Sequence, residues 1–296
     1  KHFPTMIGGD ADLAGSTKTL IKGAENTGFH KPAERNVRFG VREHGMGAIV
    51  NGLALHGGII KPYSATFLTF SDYMRGSIRL GALMSVPAIY VFTHDSIGLG
   101  EDGPTHQPIE HVVALNTIPQ LTVIRPADAN ETAASWHVAM MLKGPAVLIF
   151  TRQDLPVLEG DHIRTGVAKG GYVLADSQGT PDVILISRGS EVHIANAAYK
   201  TLTSEGVKAR LVSMPSWELF DAQDAAYKGS VLPASVTRRV SIEAGVTLGW
   251  DRYVGSNGVM IGINHFGASA PYERIYKEFG LTPEAVVNAA KGLLGK

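Results

Sequence analysis

Several short stretches of this chain are apolar at nearly every position rather than at alternate ones, and that pattern narrows the possible folds more than any other feature. Runs rich in β-branched residues, Ala88–Thr93, Leu121–Ile124, Ala146–Phe150, Val183–Ser187, Ala209–Ser213 and Val240–Glu243, alternate with longer helix-like stretches. A strand wetted on one face shows period two; a strand apolar throughout is buried on both faces. The alternation therefore predicts parallel sheets covered by helices. Helix starts follow the strands closely, with Asp128 a candidate N-cap in Asp128-Ala129-Asn130-Glu131. With 296 residues the chain is long enough for two domains of ordinary size. Between Thr151 and Gly171 a proline and several glycines stand among polar residues without helical period, which reads as a connection. The boundary is placed at Asp161, giving units 1–161 and 162–296. After it come strand Val183–Ser187, a helix from about Glu191 to Glu205 and strand Ala209–Ser213, and Pro283–Leu294 reads as a last amphipathic helix. The expected fold is α/β: two domains, each a mostly parallel sheet flanked by helices. No internal repeat is visible.

Composition excludes several function classes. Hydrophobic residues make up 44% and charged residues 18%, with 27 basic residues against 27 acidic ones, so there is neither a disordered composition nor a basic field for nucleic acid. No apolar run approaches the roughly 20 residues needed to cross a bilayer, and Lys1–Gly9 lacks a charged-then-apolar leader. Cysteine is absent, which removes disulfides, thiolate catalysis and thiolate metal sites. A cytoplasmic location is expected, with no membrane partner. The first residue is lysine, which suggests a chain trimmed, processed or cut from something longer.

The densest polar stretch is Thr93-His94-Asp95-Ser96-Ile97-Gly98-Leu99-Gly100-Glu101-Asp102-Gly103-Pro104-Thr105-His106-Gln107-Pro108, directly after an apolar run. In open α/β sheets ligands lie beyond the carboxyl ends of strands, so this glycine-rich loop would carry two histidines and several carboxylates to the mouth of a site. Any one of these residues could equally be a solvated loop side chain paired with a neighbour or with water.

That stretch resembles the signature of transketolases, and further blocks resemble the family in the same order. They are Gly8-Gly9-Asp10-Ala11-Asp12-Leu13; Gly40-Val41-Arg42-Glu43-His44-Gly45-Met46-Gly47-Ala48-Ile49-Val50-Asn51-Gly52; Ala65-Thr66-Phe67-Leu68-Thr69-Phe70; and Thr151-Arg152-Gln153-Asp154-Leu155-Pro156. Met214-Pro215-Ser216-Trp217-Glu218-Leu219-Phe220-Asp221 and Phe266-Gly267-Ala268-Ser269-Ala270-Pro271 resemble the carboxyl-terminal domain of the family. The resemblance spans essentially the whole chain and implies a pyrimidine-binding domain for thiamine diphosphate followed by a transketolase C-terminal domain.

Site residues follow from the same resemblance. On its own, Glu43 at a helix start would complement the helix dipole; the resemblance implies instead that it bonds the aminopyrimidine of thiamine diphosphate and shares a proton with it. The activated cofactor then attacks a ketose carbonyl, and a two-carbon ketol unit passes to an aldose. Phe67, Phe70 and Tyr73, at a helix-like spacing of three, could be core packing; by resemblance they wall the pyrimidine pocket, with Phe70 stacking on the ring. His106 and Asp102 match catalytic positions that face the donor sugar's hydroxyls. Ser16, His94 and Arg152 match the grip on the sugar phosphate, for which an arginine fork is suited; otherwise Arg152 would be a surface ion-pair residue. Asp12 could be structural.

Glu101-Asp102-Gly103 with Asn130 downstream imitates the Gly-Asp-Gly…Asn motif that holds the diphosphate and its ion, but begins with glutamate and is followed by Pro104. No metal is assigned to this chain. By resemblance the Mg or Ca ion belongs to a separate amino-terminal, diphosphate-binding half, so a partner is implied: a homodimer of a longer polypeptide or an α2β2 heterotetramer of a split enzyme, acting on sugar phosphates. Alternatives are a pyrimidine-binding subunit of a 2-oxo acid dehydrogenase or of 1-deoxyxylulose-5-phosphate synthase, and a non-catalytic regulatory homologue.

Overall fold

The computed structural model describes residues 3–160 and 162–296. Two sheets organise the chain. The first contains β1 (Met6–Asp10), β2 (Asn36–Arg38), β3 (Lys61–Phe67), β4 (Ile89–Thr93), β5 (Thr122–Ile124) and β6 (Ala146–Ile149), in the order β2-β1-β3-β4-β6-β5 with every pairing parallel. The second contains β7 (Tyr172–Asp176), β8 (Val183–Ser187), β9 (Ala209–Ser213), β10 (Arg239–Ile242) and β11 (Val259–Ile261), in the order β11-β10-β8-β9-β7. Only β7 against β9 is antiparallel, at the edge of the sheet. The expected α/β architecture with two mostly parallel sheets is the observed one.

Helices α1 (Ala14–Thr17), α2 (Glu43–His56), α3 (Ser71–Leu83), α4 (His111–Asn116), α5 (Ala129–Met141) and α6 (Ile163–Ala168) accompany the first sheet. Side chains of β4 show why its run is apolar throughout. Tyr90 and Phe92 pack with Met46 and Val50 of α2 and Met74 and Ile78 of α3, whereas Ile89 and Val91 face Ala134 and Val138 of α5. Both faces are covered, so neither tolerates alternation. Asp128 does cap α5, accepting from the Glu131 amide at 2.8 Å. The second sheet is covered by α7 (Val192–Ser204), α8 (Trp217–Asp221), α9 (Ala225–Val231), α10 (Asp251–Val254), α11 (Tyr272–Glu278) and α12 (Pro283–Leu294). Ala195, Leu202, Val286 and Ala290 seal one face; Trp217, Phe220, Trp250 and Tyr253 seal the other.

One stretch differs from the sequence reading. Within the connection 151–171 lies α6, short but buried through Ile163 and Val167, which pack under Ala134 and Val138 of α5. Two apolar residues four apart suffice for one docked turn, yet fall below what periodicity resolves in a window of this length. Asp161, where the sequence places the boundary, lies outside the described residues.

The sheets are joined through buried charge. Arg125, after β5, reaches Asp95 through Nη2 at 2.7 Å, and its Nη1 reaches Glu191 at 2.7 Å and Glu243 at 3.0 Å. Arg188 Nε donates to Glu243 at 2.6 Å while its guanidinium lies 4.2 Å from the centre of the Trp217 ring. Burial by itself would lower the pKa of Arg125, but Glu191, Asp95 and Glu243 outweigh it and hold it well above the ordinary value. Glu131, by contrast, meets no cation among the described residues; burial raises its pKa, against hydrogen bonds from Ser213, Tyr172 and the Ala127 amide.

Candidate active site

The topology gathers the polar loops at one rim. Proceeding across adjacent strands β2, β1, β3, β4 and β6, the carboxyl ends lead to Glu43, to Ser16, to Phe67 and Phe70, to His94, and to Arg152. Parallel strands make this possible, because all their carboxyl ends open on the same edge.

Ser16, His94 and Arg152 line one cavity of about 430 Å³, together with Thr17, Lys18 and Thr151. Arg152 is exposed and makes no ion pair or hydrogen bond among the described residues, so the surface ion-pair reading fails. Lys18 was not singled out in the sequence. Its signal was weak: a lone lysine two residues beyond Ser16, carried into the cavity by a left-handed backbone at φ 55°.

His94 is buried and itself left-handed, φ 58°, a conformation uncommon outside glycine and typical of strained functional positions. Its Nδ1 lies 2.9 Å from Thr93 Oγ1, which leaves Nε2 for a ligand. Burial, followed by the positive charge of Arg152, lowers its pKa to about 4, against opposing effects of Asp102 and Asp95. The imidazole is therefore neutral at pH 7. His106 repeats the arrangement, with Nδ1 2.9 Å from Thr105 Oγ1.

The aromatic residues form a connected wall. Phe67 stacks on His94 with ring centres 3.7 Å apart, Phe70 lies 5.9 Å from Phe67 and 6.1 Å from Tyr73, and His106 meets Phe70 edge-on at 5.7 Å. Their spacing is not that of one helix. Phe67 ends β3, Phe70 closes a 3-10 turn and Tyr73 lies in α3, so the stripe passes from the core to solvent, where Tyr73 is 68% exposed.

Asp102 lies close enough to His94 to act on its pKa, whereas Glu43 opens a separate element. Asp102 shares with Arg152 a second cavity of about 510 Å³, also lined by Tyr272 and Glu273 of the second domain. Glu43 opens α2, is only 9% exposed, and has no hydrogen bond or ion pair among the described residues. A carboxylate so nearly buried is costly without a partner. Asp12 is exposed and left-handed at φ 66°, and the neighbouring buried Asp10 accepts from the Leu13 amide at 2.6 Å.

One cluster has metal-type residues: Asp72, Glu110 and His111. Asp72 faces His111 Nε2 at 3.2 Å, whereas Glu110 faces Nδ1 at 3.7 Å. One ligand atom from each of the three residues lies within 4.8 Å of the others, but Asp72 and Glu110 are exposed, and exposed carboxylates gather in this way without a metal.

Fold and rim together define an α/β protein with a cleft at the strand ends that gathers Arg152 and Lys18, flat ring faces and, in Glu43, a carboxylate without a partner among the described residues. The family described as "Transketolase, pyrimidine binding domain" matches residues 1–157, and "Transketolase-like TK C-terminal domain" matches residues 170–282. The chain belongs to the transketolase family. It is 58% identical over 297 residues to a chloroplastic transketolase of Craterostigma plantagineum, covering 99% of this chain and 57% of that protein. Among solved structures, transketolase from Leishmania mexicana superposes with TM-score 0.94 at 44% identity, covering 99% of this chain and 43% of that one. A chain titled split gene transketolase, inactive beta4 tetramer, has the same fold at TM-score 0.81 and 24% identity, with 99% of this chain and 93% of that one covered. The chain thus spans about half the length of the curated relatives it matches, 57% of the plant protein.

Proposed function

We propose that this chain, as units 1–161 and 162–296, is the pyrimidine-binding half of a transketolase that moves a two-carbon ketol unit between sugar phosphates. The family implies thiamine diphosphate and a divalent ion. When bound, thiamine diphosphate supplies the nucleophilic carbon and the electron sink for ketol transfer. The rim fits the ring end of that cofactor: Glu43 is a nearly buried carboxylate lacking a partner among the described residues, and Phe67, Phe70 and Tyr73 present flat faces. The one cluster of metal-type residues among the described ones, Asp72, Glu110 and His111, has two exposed carboxylates and is not assigned the ion, which in this reading falls with the diphosphate to another half.

In this reading Glu43 holds a proton at the pyrimidine ring, Phe70 covers the ring face, and Phe67 and Tyr73 keep water from it. His94 and His106 offer their free Nε2 atoms to the sugar, His94 as a neutral imidazole that does not repel Arg152. Arg152 forks onto the phosphate with Ser16, and Lys18 adds a second cation at the same cavity. Asp102 reads a hydroxyl near the reacting carbonyl. The convergence of Ser16, His94 and Arg152 on one cavity beside the aromatic wall carries this reading.

A partner is supported by the surface of α2 and α3. Ile49, Leu55, Leu80 and Leu83 on these two packed helices are between 48% and 68% exposed, apolar side chains that a partner would cover. In this reading the half is assembled with a diphosphate-binding chain in the cytoplasm; the chain titled split gene transketolase, 93% of which is covered, has the same fold at this length. Ketol transfer from xylulose 5-phosphate to ribose 5-phosphate, with thiamine diphosphate and magnesium, tests it. Activity is expected from this chain mixed with a transketolase amino-terminal half and not from this chain alone. Silence of a demonstrated assembly would overturn the reading.

A further inference from the structure

The second domain contributes no residue to the anion cavity, yet it holds the loop between His94 and His106 at both ends and in the middle. At the first end Asp95 is gripped by Arg125, which Glu191 and Glu243 grip in turn. Beside it the Tyr276 hydroxyl donates to Glu191 at 2.7 Å and lies 3.4 Å from Ser96 Oγ. At the other end Gln107 Nε2 donates to the loop carbonyl of Gly100 and to Ala268 O in the second domain, each at 2.9 Å. Midway, the Ser269 hydroxyl donates to Glu101 O.

The packing is close enough to be specific. A Cβ on Gly267 would lie 1.7 Å from Gln107 Oε1, and one on Gly103 would lie 3.2 Å from the Ser269 Cβ, besides straining its backbone at φ +78°. Most hydrogen bonds of the loop to itself are single short turns, from the amides of Gly100, Gly103 and His106. Turns of that kind do not fix a loop alone.

The geometry points to Gln107 and Tyr276 as positioning residues, through which the second domain fixes the placement of His94, Asp102 and His106. Its meaning for catalysis rests on the function proposed above; the anchoring does not. Hydrogen exchange of this chain, without partner, cofactor or substrate, tests the anchoring with Gln107→Met and, as a milder change, Tyr276→Phe. The amides of Gly100, Gly103 and His106 should exchange at least ~10-fold faster in both variants while those of β8 keep their wild-type rates. In the same samples the NMR titration of His94 should move from about 4 back toward 6.5, because a loosened loop re-solvates the ring. In the assembled enzyme KM for the ketose phosphate should rise by ~10-fold in Gln107→Met with a smaller change in kcat.

Unchanged loop exchange in both variants would overturn the anchoring, as would equal acceleration throughout the second domain, which would mark these bonds as general glue. A loosened loop with no ketol transfer in the wild-type assembly would sink the catalytic reading and leave the anchoring standing.

Discussion

Two regions of this molecule concentrate polar side chains, and they treat them in opposite ways. At the junction of the sheets Arg125, Arg188, Asp95, Glu191 and Glu243 are buried, and each has an opposite charge within about 3 Å. At the strand-end cleft Glu43 and Arg152 have no such partner among the described residues, and His94 and His106 each keep one nitrogen free. A fold that satisfies its buried charges so fully in one place has not left others idle by accident. Paired charge joins the domains, and in the proposed function the unpaired groups at the rim are those that meet the ligand.

The sharpest break in that comparison is Glu43→Gln. It should lower ketol transfer in the assembled enzyme by ~10²–10⁴-fold, the usual weight of a positioned proton-transfer group. Stability should hold or rise, because the lost carboxylate had no partner among the described residues to lose. Steady-state kinetics beside urea unfolding would check both halves of the statement. A large loss of stability would place Glu43 with the structural charges instead.

Arg125→Met should do the reverse. It leaves Asp95, Glu191 and Glu243 crowded without their shared cation, and removing one member of a buried ionic group costs ~3–5 kcal/mol. Urea midpoints would show it, and a change below ~1 kcal/mol would mean that the network is compensated by water.

How much of the contrast was legible beforehand depends on distance along the chain. Strands β8 and β9 are written as mostly apolar runs, β9 interrupted by Arg210, and the structure begins and ends them where those runs do. Strand β1 is not: Met-Ile-Gly-Gly-Asp looks like a turn. Its glycines serve contact instead, since a Cβ on Gly8 would strike Tyr63 at 2.1 Å and one on Gly9 would strike Val37 O at 1.8 Å. The cleft residues announced themselves because His94, Asp102 and His106 share one dense loop. The junction did not, because Arg125 and Glu243 are 118 positions apart and each alone reads as an ordinary surface charge. Glu43 was singled out by resemblance alone, and only the structure shows that it is nearly buried without a partner among the described residues.

Arg152→Ala offers a smaller effect that sharpens the anion half of the cleft. KM for phosphorylated sugars should rise by ~10–100-fold, the range expected for losing a hydrogen bond to a charged group, with unphosphorylated sugars little affected. An equal effect on both classes would remove the phosphate role. A residual preference for phosphate in the variant would be assigned to Lys18, and the double variant with Lys18→Ala should abolish it.

The last effect concerns His94, and the pH at which it begins separates the two regions. Burial lowers its folded pKa to about 4, whereas an unfolded histidine titrates near 6.5. Above pH 6.5 the ring is neutral in both states and contributes no pH dependence. As pH falls from 6.5 toward 4 the unfolded chain takes up a proton that the folded chain refuses, so stability declines across that window and the slope ends once the folded ring is also protonated. Urea midpoints at pH 7, 5.5 and 4.5 for wild type and His94→Gln isolate the contribution, because the other carboxylates and histidines cancel in the difference. The wild type should lose more stability than the variant between pH 6.5 and 4. Arg125 itself is held charged well above neutrality and adds no slope there, whereas Glu243, where burial is outweighed by Arg188 and Arg125 so that its pKa is lowered, adds a loss only toward the acid end of the window and does so equally in wild type and His94→Gln. Parallel curves for wild type and His94→Gln would mean that the ring is already protonated or freely solvated in the folded cleft, and the neutral imidazole would have to be withdrawn from the mechanism.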